Sequence, residues 1–123
     1  MSEPRYALVV DDHPTNRLLA ATLLKRLGWT VSEADDGETG LELAKRQHFR
    51  LVLLDISMPG WSGEETCRQL RTVLPAEKPQ TIIAYTAHAF EEDRQRLLAD
   101  GFDDILVKPI NRQQLEAMVG HLY

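Results

Sequence analysis

A single cysteine, Cys67, is all this chain carries, so no internal disulfide can form. That suits a reducing, intracellular setting and an expected cytoplasmic location. Long hydrophobic runs are missing as well: no stretch is long enough to cross a bilayer, and no signal-peptide pattern opens the chain. No membrane contact by the domain is therefore expected. Repeats and low-complexity segments are absent. Basic charge is in deficit, with 14 Lys and Arg against 19 Asp and Glu, a net charge of −5. Such a balance argues against direct nucleic-acid binding. What remains is 123 residues, 43% hydrophobic and 27% charged. This describes one globular domain over 1–123, its core spanning about 5–122, long enough to bury a core without staples.

Short apolar runs alternate with longer segments of helical period. Tyr6-Ala7-Leu8-Val9-Val10 is apolar without alternation, as a strand covered on both faces should be, and stops at Asp11-Asp12. Pro14 suits the first turn of a helix. Leu18, Leu19, Leu23, Leu24 and Leu27 are expected to form the buried side of that helix, and Gly28 to cap it. Thr30 to Ala34 reads as an edge strand, Asp35-Asp36-Gly37 as a turn, and about Glu38 to Gln47 as a helix. Leu51-Val52-Leu53-Leu54 is a second pure apolar run, ending at Asp55. After the loop from Met58 to Gly63, a helix places Cys67, Leu70 and Leu74 on one face. Thr81 to Tyr85 is a fourth strand ending at Thr86, and about Glu91 to Ala99 a fourth helix. Asp103 to Val107 is a fifth strand ending at Lys108-Pro109, and Leu115, Met118, Val119 and Leu122 mark the last helix. Five strand–helix units with right-handed crossovers predict an α/β fold, a (βα)5 doubly wound three-layer sandwich around a five-stranded parallel sheet. Spacing alone leaves the strand order open.

In such sheets the site lies beyond the carboxyl ends of the strands. Asp11, Asp12, Asp55, Thr86 and Lys108 all stand there. Three crowded carboxylates repel one another, and a divalent cation relieves the repulsion. The donors are oxygens, with no His or Cys cluster, so the cation should be hard, Mg2+ by preference. Lys108 adds a positive charge and Thr86 a hydroxyl, while a carboxylate can itself be a nucleophile. Phosphoryl transfer needs mainly positioning and charge neutralisation. Singly, each residue has a plainer reading: Asp11 and Asp12 as helix caps, Thr86 as another cap, Lys108 as a solvated loop lysine. Joint placement at four strand ends favours the chemical reading.

Val9-Val10-Asp11-Asp12, Leu53-Leu54-Asp55-Ile56-Ser57-Met58-Pro59, Gly63, Thr86-Ala87 and Lys108-Pro109 together resemble the receiver domain of two-component response regulators. The resemblance runs from about Arg5 to Leu122 and implies the CheY-like (flavodoxin-like) strand order 2-1-3-4-5. It implies Asp55 as the phosphorylated residue, Asp12 as a direct Mg2+ ligand, Asp11 acting mainly through a bound water, and the Ser57 backbone carbonyl as a further ligand. Lys108 would pair with the phosphoryl oxygens and Thr86 would hydrogen-bond them. Ala87 would leave access, and the bond before Pro109 would be cis. The implied reaction is Mg2+-dependent transfer from a phosphohistidine on a histidine kinase or histidine phosphotransfer domain. Self-catalysed hydrolysis would follow, rather than classical enzymatic turnover. Pro14-Thr15-Asn16-Arg17 resembles receivers attached to hybrid sensor kinases, with the first helix as docking face. Oligomeric state, kinase, pathway and output stay open, as does whether the domain is stand-alone or part of a longer regulator.

Several positions depart from that pattern. Ile105 stands where many receivers carry an aromatic switch residue; it reads as a packed strand residue, or as a sign that the domain relays phosphate. Ser57 and His88 flank the site and bear on phosphoryl lifetime, although His88 also reads as a solvated loop residue. Trp61 reads as packing over the third helix, or as a binding aromatic. A phosphorylation-independent binding module on the same fold is the alternative function, disfavoured by the intact acidic set. An aspartyl-phosphate hydrolase would need an Asp where Ser57 stands. A flavin or nucleotide binder would need a glycine-rich loop where Asp11 and Asp12 stand.

Overall fold

The computed structural model describes residues 5–58, 60–73, 80–87, 91–108 and 110–120. Leu74, Leu122, Pro59, His88 and Pro109, each singled out above, lie outside the described residues. The strands are β1 (Tyr6–Val10), β2 (Thr30–Ala34), β3 (Leu51–Asp55), β4 (Thr81–Thr86) and β5 (Asp104–Val107). The helices are α1 (Pro14–Arg26), α2 (Gly37–Arg46), α3 (Gly63–Val73), α4 (Glu91–Ala99) and α5 (Arg112–Val119). All strand pairs are parallel and the order is β2-β1-β3-β4-β5. Strand order reverses beside β1, the point at which sheets of this kind place their ligand crevice.

The period of two along each strand divides the core in two. Leu8, Val10, Val52, Leu54, Ile82, Ala84 and Ile105 face one way and pack with Leu41 of α2, Cys67 and Leu70 of α3 and Leu97 of α4. Ala7, Val9, Leu51, Leu53, Ile83, Tyr85 and Leu106 face the other way, against Ala20, Leu23 and Leu24 of α1 and Leu115 and Val119 of α5. Burial on both faces is why the central runs are apolar without alternation. The Cys67 thiol lies in this dry layer, and burial pushes its pKa up to about 11. Ile105 is 3% exposed, which bears out its reading as a packed residue. Trp61 is half-buried against the same core, as the packing alternative requires.

One expectation needs correction. Leu18 and Leu19 do not belong to the buried side of α1; they are 59% and 43% exposed. The buried face runs through Ala20, Leu23 and Leu24, with Leu27 half-buried at its end. At 100° per residue that places position 18 on the opposite side and position 19 at the rim. Leucine content marked the helix but not its face.

Local signals set the ends of elements. Gly28 adopts φ +97°, the left-handed conformation that closes α1. Asp36 accepts the Thr39 N–H at 2.7 Å and caps α2, and the capping bond holds its carboxyl below the usual range. Away from the site, Arg71 ties α3 to the carbonyls of Gly101 (2.7 Å) and Gln80 (3.0 Å) and to Asp103 (2.8 Å). Near the site, Gly63 lets α3 begin hard against the end of β3. A Cβ there would fall 2.5 Å from the Asp55 carbonyl oxygen and 2.8 Å from Ile56 Cα. Backbone cannot yield as a side chain can. Gly63→Ala should therefore cost about 1–3 kcal/mol in urea unfolding, the scale of overpacking; a variant as stable as wild type would contradict the close approach.

Candidate active site

The residue after β1, Asp11, is fully buried and held from several directions. Its N–H donates to the Ala34 carbonyl at 3.1 Å, and its carbonyl accepts from Arg17 Nη1 at 2.9 Å. Oδ1 accepts the His13 N–H at 2.8 Å, and Oδ2 accepts the Tyr85 hydroxyl. Asp12 is half-buried; its Oδ1 makes no hydrogen bond, although His13 Nδ1 approaches to 3.1 Å. Asp55, the last residue of β3, is 2% exposed. Its Oδ1 accepts from Lys108 Nζ at 3.1 Å, with the Ser57 N–H at 3.4 Å, while Oδ2 is buried without a hydrogen-bond partner. Lys108 follows β5. Its main-chain N–H donates to the Thr86 carbonyl at 2.8 Å, and its Nζ lies 3.9 Å from Asp11 Oδ2 and 4.5 Å from the Tyr85 ring centroid.

Residues 7–120 match the family model of the response regulator receiver domain. The chain belongs to the response regulator receiver family. It is 39% identical over 115 residues to the sensor protein GacS of Pseudomonas syringae pv. syringae, covering 91% of this chain. It is 41% identical over 106 residues to the sensor histidine kinase RcsC of Escherichia coli K12, covering 84% of this chain. It spans only 13% and 10% of the length of those relatives. Among solved structures, the chemotaxis protein CheY4 of Vibrio cholerae superposes with a TM-score of 0.88 at 26% identity, covering 98% of this chain and 100% of that one. The receiver domain of sensor histidine kinase PA1611 of Pseudomonas aeruginosa PAO1, with magnesium in its active-site cleft, superposes with a TM-score of 0.85 at 30% identity, covering 97% of each chain.

The receiver fold brings Asp11, Asp12, Asp55 and Lys108 together as the sequence suggested. Thr86 ends β4 beside them, half-buried and paired in register with Val107. The plainer readings of three residues fail on geometry. α1 has no side-chain cap, so neither Asp11 nor Asp12 serves as one. Lys108 is only 19% exposed and bonded to Asp55, unlike a solvated loop lysine. Ser57 is exposed, two residues beyond the buried Asp55.

Two residues escaped sequence reasoning. His13 is mostly exposed but offers a nitrogen to the acidic set: one ligand atom each from Asp11, Asp12, His13 and Asp55 lies within 4.8 Å of the others. Tyr85 passes for a core residue of β4, yet its hydroxyl reaches Asp11. A buried phenol needs a hydrogen-bond partner, and that requirement was the available signal.

The electrostatics follow from burial. Desolvation raises the Asp55 pKa above the usual carboxylate range; the Lys108 bond opposes this, and the Asp11 charge adds to it. Burial, then the neighbouring Asp11 carboxylate, pushes the Tyr85 phenol far above its ordinary range, so it stays a donor. Asp12 Oδ1 and Asp55 Oδ2 are buried acceptors without hydrogen-bond partners, an arrangement that costs free energy unless a cation satisfies them. The residues thus fit a hard cation.

The raised pKa of Asp55 has a definite sign in stability. Above about pH 4, where an unfolded aspartate ionises, the folded chain still holds its proton. Folded protein binds more protons in that window, so the contribution of Asp55 to stability falls as pH rises through it. Asp55→Asn removes this dependence. Without divalent cations, the melting temperature of the variant minus that of wild type should grow more positive as pH rises above about 4. A difference that is flat with pH would refute the assignment of the shift to Asp55.

Proposed function

We propose that Asp55 accepts a phosphoryl group from a phosphohistidine donor, with Mg2+ held by Asp12, Asp55, the Ser57 carbonyl and, through water, Asp11. The observation that carries this reading is the asymmetry at Asp55: one oxygen bonded to Lys108 at 3.1 Å, the other buried without a hydrogen-bond partner, in a residue grouped with Asp11 and Asp12. Both oxygens of Asp11 already accept hydrogen bonds within the protein, which supports an indirect role for it. Magnesium in the cleft of the PA1611 receiver supports the choice of cation.

In the transfer, an Asp55 carboxylate oxygen attacks phosphorus. A P–O bond forms, the P–N bond to the donor imidazole breaks, and the electron pair leaves with the nitrogen. Mg2+ supplies charge neutralisation at the transferring oxygens. Lys108, already on Asp55, is placed to follow those oxygens, and Thr86 offers its hydroxyl from the end of β4. Burial at the strand ends excludes bulk water from Asp55.

Similarity to sensor histidine kinases supports a receiver embedded in, or served by, a phosphorelay. The exposed Leu18 and Leu19, with Pro14 at the start of α1, form an apolar rim suited to a histidine-bearing helical bundle. The isoleucine at position 105, which has no polar tip, supports a relay in preference to an aromatic output switch.

Asp55→Asn should abolish uptake from acetyl phosphate with Mg2+, read by intact mass, and Lys108→Ala should slow it about a hundredfold or more. Full uptake in the Asn variant would overturn the acceptor. Leu18→Asp should slow transfer from a phosphorylated histidine phosphotransfer domain and spare uptake from acetyl phosphate. Equal slowing with both donors would remove α1 as the docking face.

A further inference from the structure

Resting on that reading of the site, we propose that Tyr85 is a positioning residue that keeps Lys108 on Asp55 by satisfying Asp11. Lys108 faces two carboxylates, Asp55 Oδ1 at 3.1 Å and Asp11 Oδ2 at 3.9 Å. Both aspartates are buried, so each exerts a strong pull on the one ammonium. Asp11 has no solvent to turn to and needs a donor on each oxygen. The His13 N–H serves Oδ1 and the Tyr85 hydroxyl serves Oδ2. Remove the phenolic hydrogen, and among the described residues the ammonium of Lys108, 3.9 Å away, is the charged donor beside Oδ2.

Tyr85 is well built for that task. It is 1% exposed and packed among Val9, Leu53, Leu106, Ile110 and Leu115, so its ring cannot drift. The face of the ring lies 4.5 Å from Lys108 Nζ, where it attracts the ammonium without competing as a hydrogen-bond acceptor. One side chain therefore supplies Asp11 with a donor and gives Lys108 a surface to rest on while its hydrogen bond goes to Asp55. The two contacts separate by substitution: Phe keeps the ring and loses the hydroxyl.

A cycle of Tyr85→Phe and Lys108→Ala tests the idea, with Mg2+ affinity followed by tryptophan fluorescence and folding checked by thermal melting. In Tyr85→Phe, Lys108 moves from Asp55, a direct ligand of the cation, onto Asp11, which acts through water. Mg2+ affinity should rise about fivefold, the scale of one hydrogen bond. Uptake from acetyl phosphate at saturating Mg2+ should slow by about as much, because Lys108 has left the acceptor, with little change in melting temperature. With Lys108→Ala already present no ammonium is left to divert, so adding Tyr85→Phe should change Mg2+ affinity and uptake less than about twofold. The same change in both backgrounds would overturn the proposal, since Tyr85 would then act on Asp11 alone. No change in either would overturn it too. A wild-type chain that binds no Mg2+ would overturn the reading of the site itself, a result distinct from both.

Discussion

The bond from Lys108 to Asp55 is the interaction on which the site depends. A carboxylate buried at the end of a central strand is costly, and one cation 3.1 Å away offsets much of that cost. The offset is incomplete, because Asp11 is buried beside it and draws on the same ammonium from 3.9 Å. Two buried carboxylates and a half-buried third against one lysine leave an excess of negative charge in a small volume. Burial is the main cause of the raised pKa of Asp55, and the Asp11 charge adds to it. A receiver needs such an imbalance, because a site neutral in itself would have little use for a divalent cation or a phosphoryl group.

The fold delivers this arrangement through its strands. Asp11 and Asp12 follow β1, Asp55 ends β3, Thr86 ends β4 and Lys108 follows β5. Parallel pairing in the order 2-1-3-4-5 sends all four ends to one edge. The positions are held by two dry layers of core, so the separations among the charged groups are set by packing rather than by loop conformation. Gly63 shows how tight this is, since even one methyl group would press on the main chain of Asp55.

Much of this was legible in the sequence, for identifiable reasons. Non-alternating runs such as Leu51 to Leu54 announce strands buried on both faces, and polar or charged residues at four strand ends, Asp11-Asp12, Asp55, Thr86 and Lys108, announce the edge. Strand order was not readable from spacing and came from resemblance to receivers. The face of α1 was misread because leucines at 18, 19, 23, 24 and 27 surround the helix, and alanines at 20 and 21 supply part of the buried side. Tyr85 was hidden for a different reason: a strand pattern shows which way a side chain points, not how far it reaches. Its ring belongs to the core while its hydroxyl belongs to the site.

That dual membership has a mechanical consequence. Lys108 is joined to Thr86 through the main chain, to Asp55 through Nζ, and to Tyr85 through the face of its ring. Tyr85 in turn is joined to Asp11. Charge arriving on Asp55 acts first on the ammonium of Lys108. Any displacement of that ammonium changes its contact with Tyr85 on β4, whose hydroxyl sits on the residue after β1. The ends of β1, β4 and β5 thus share one electrostatic load. Position 105 has no part in that load, because a buried isoleucine has no polar tip to respond.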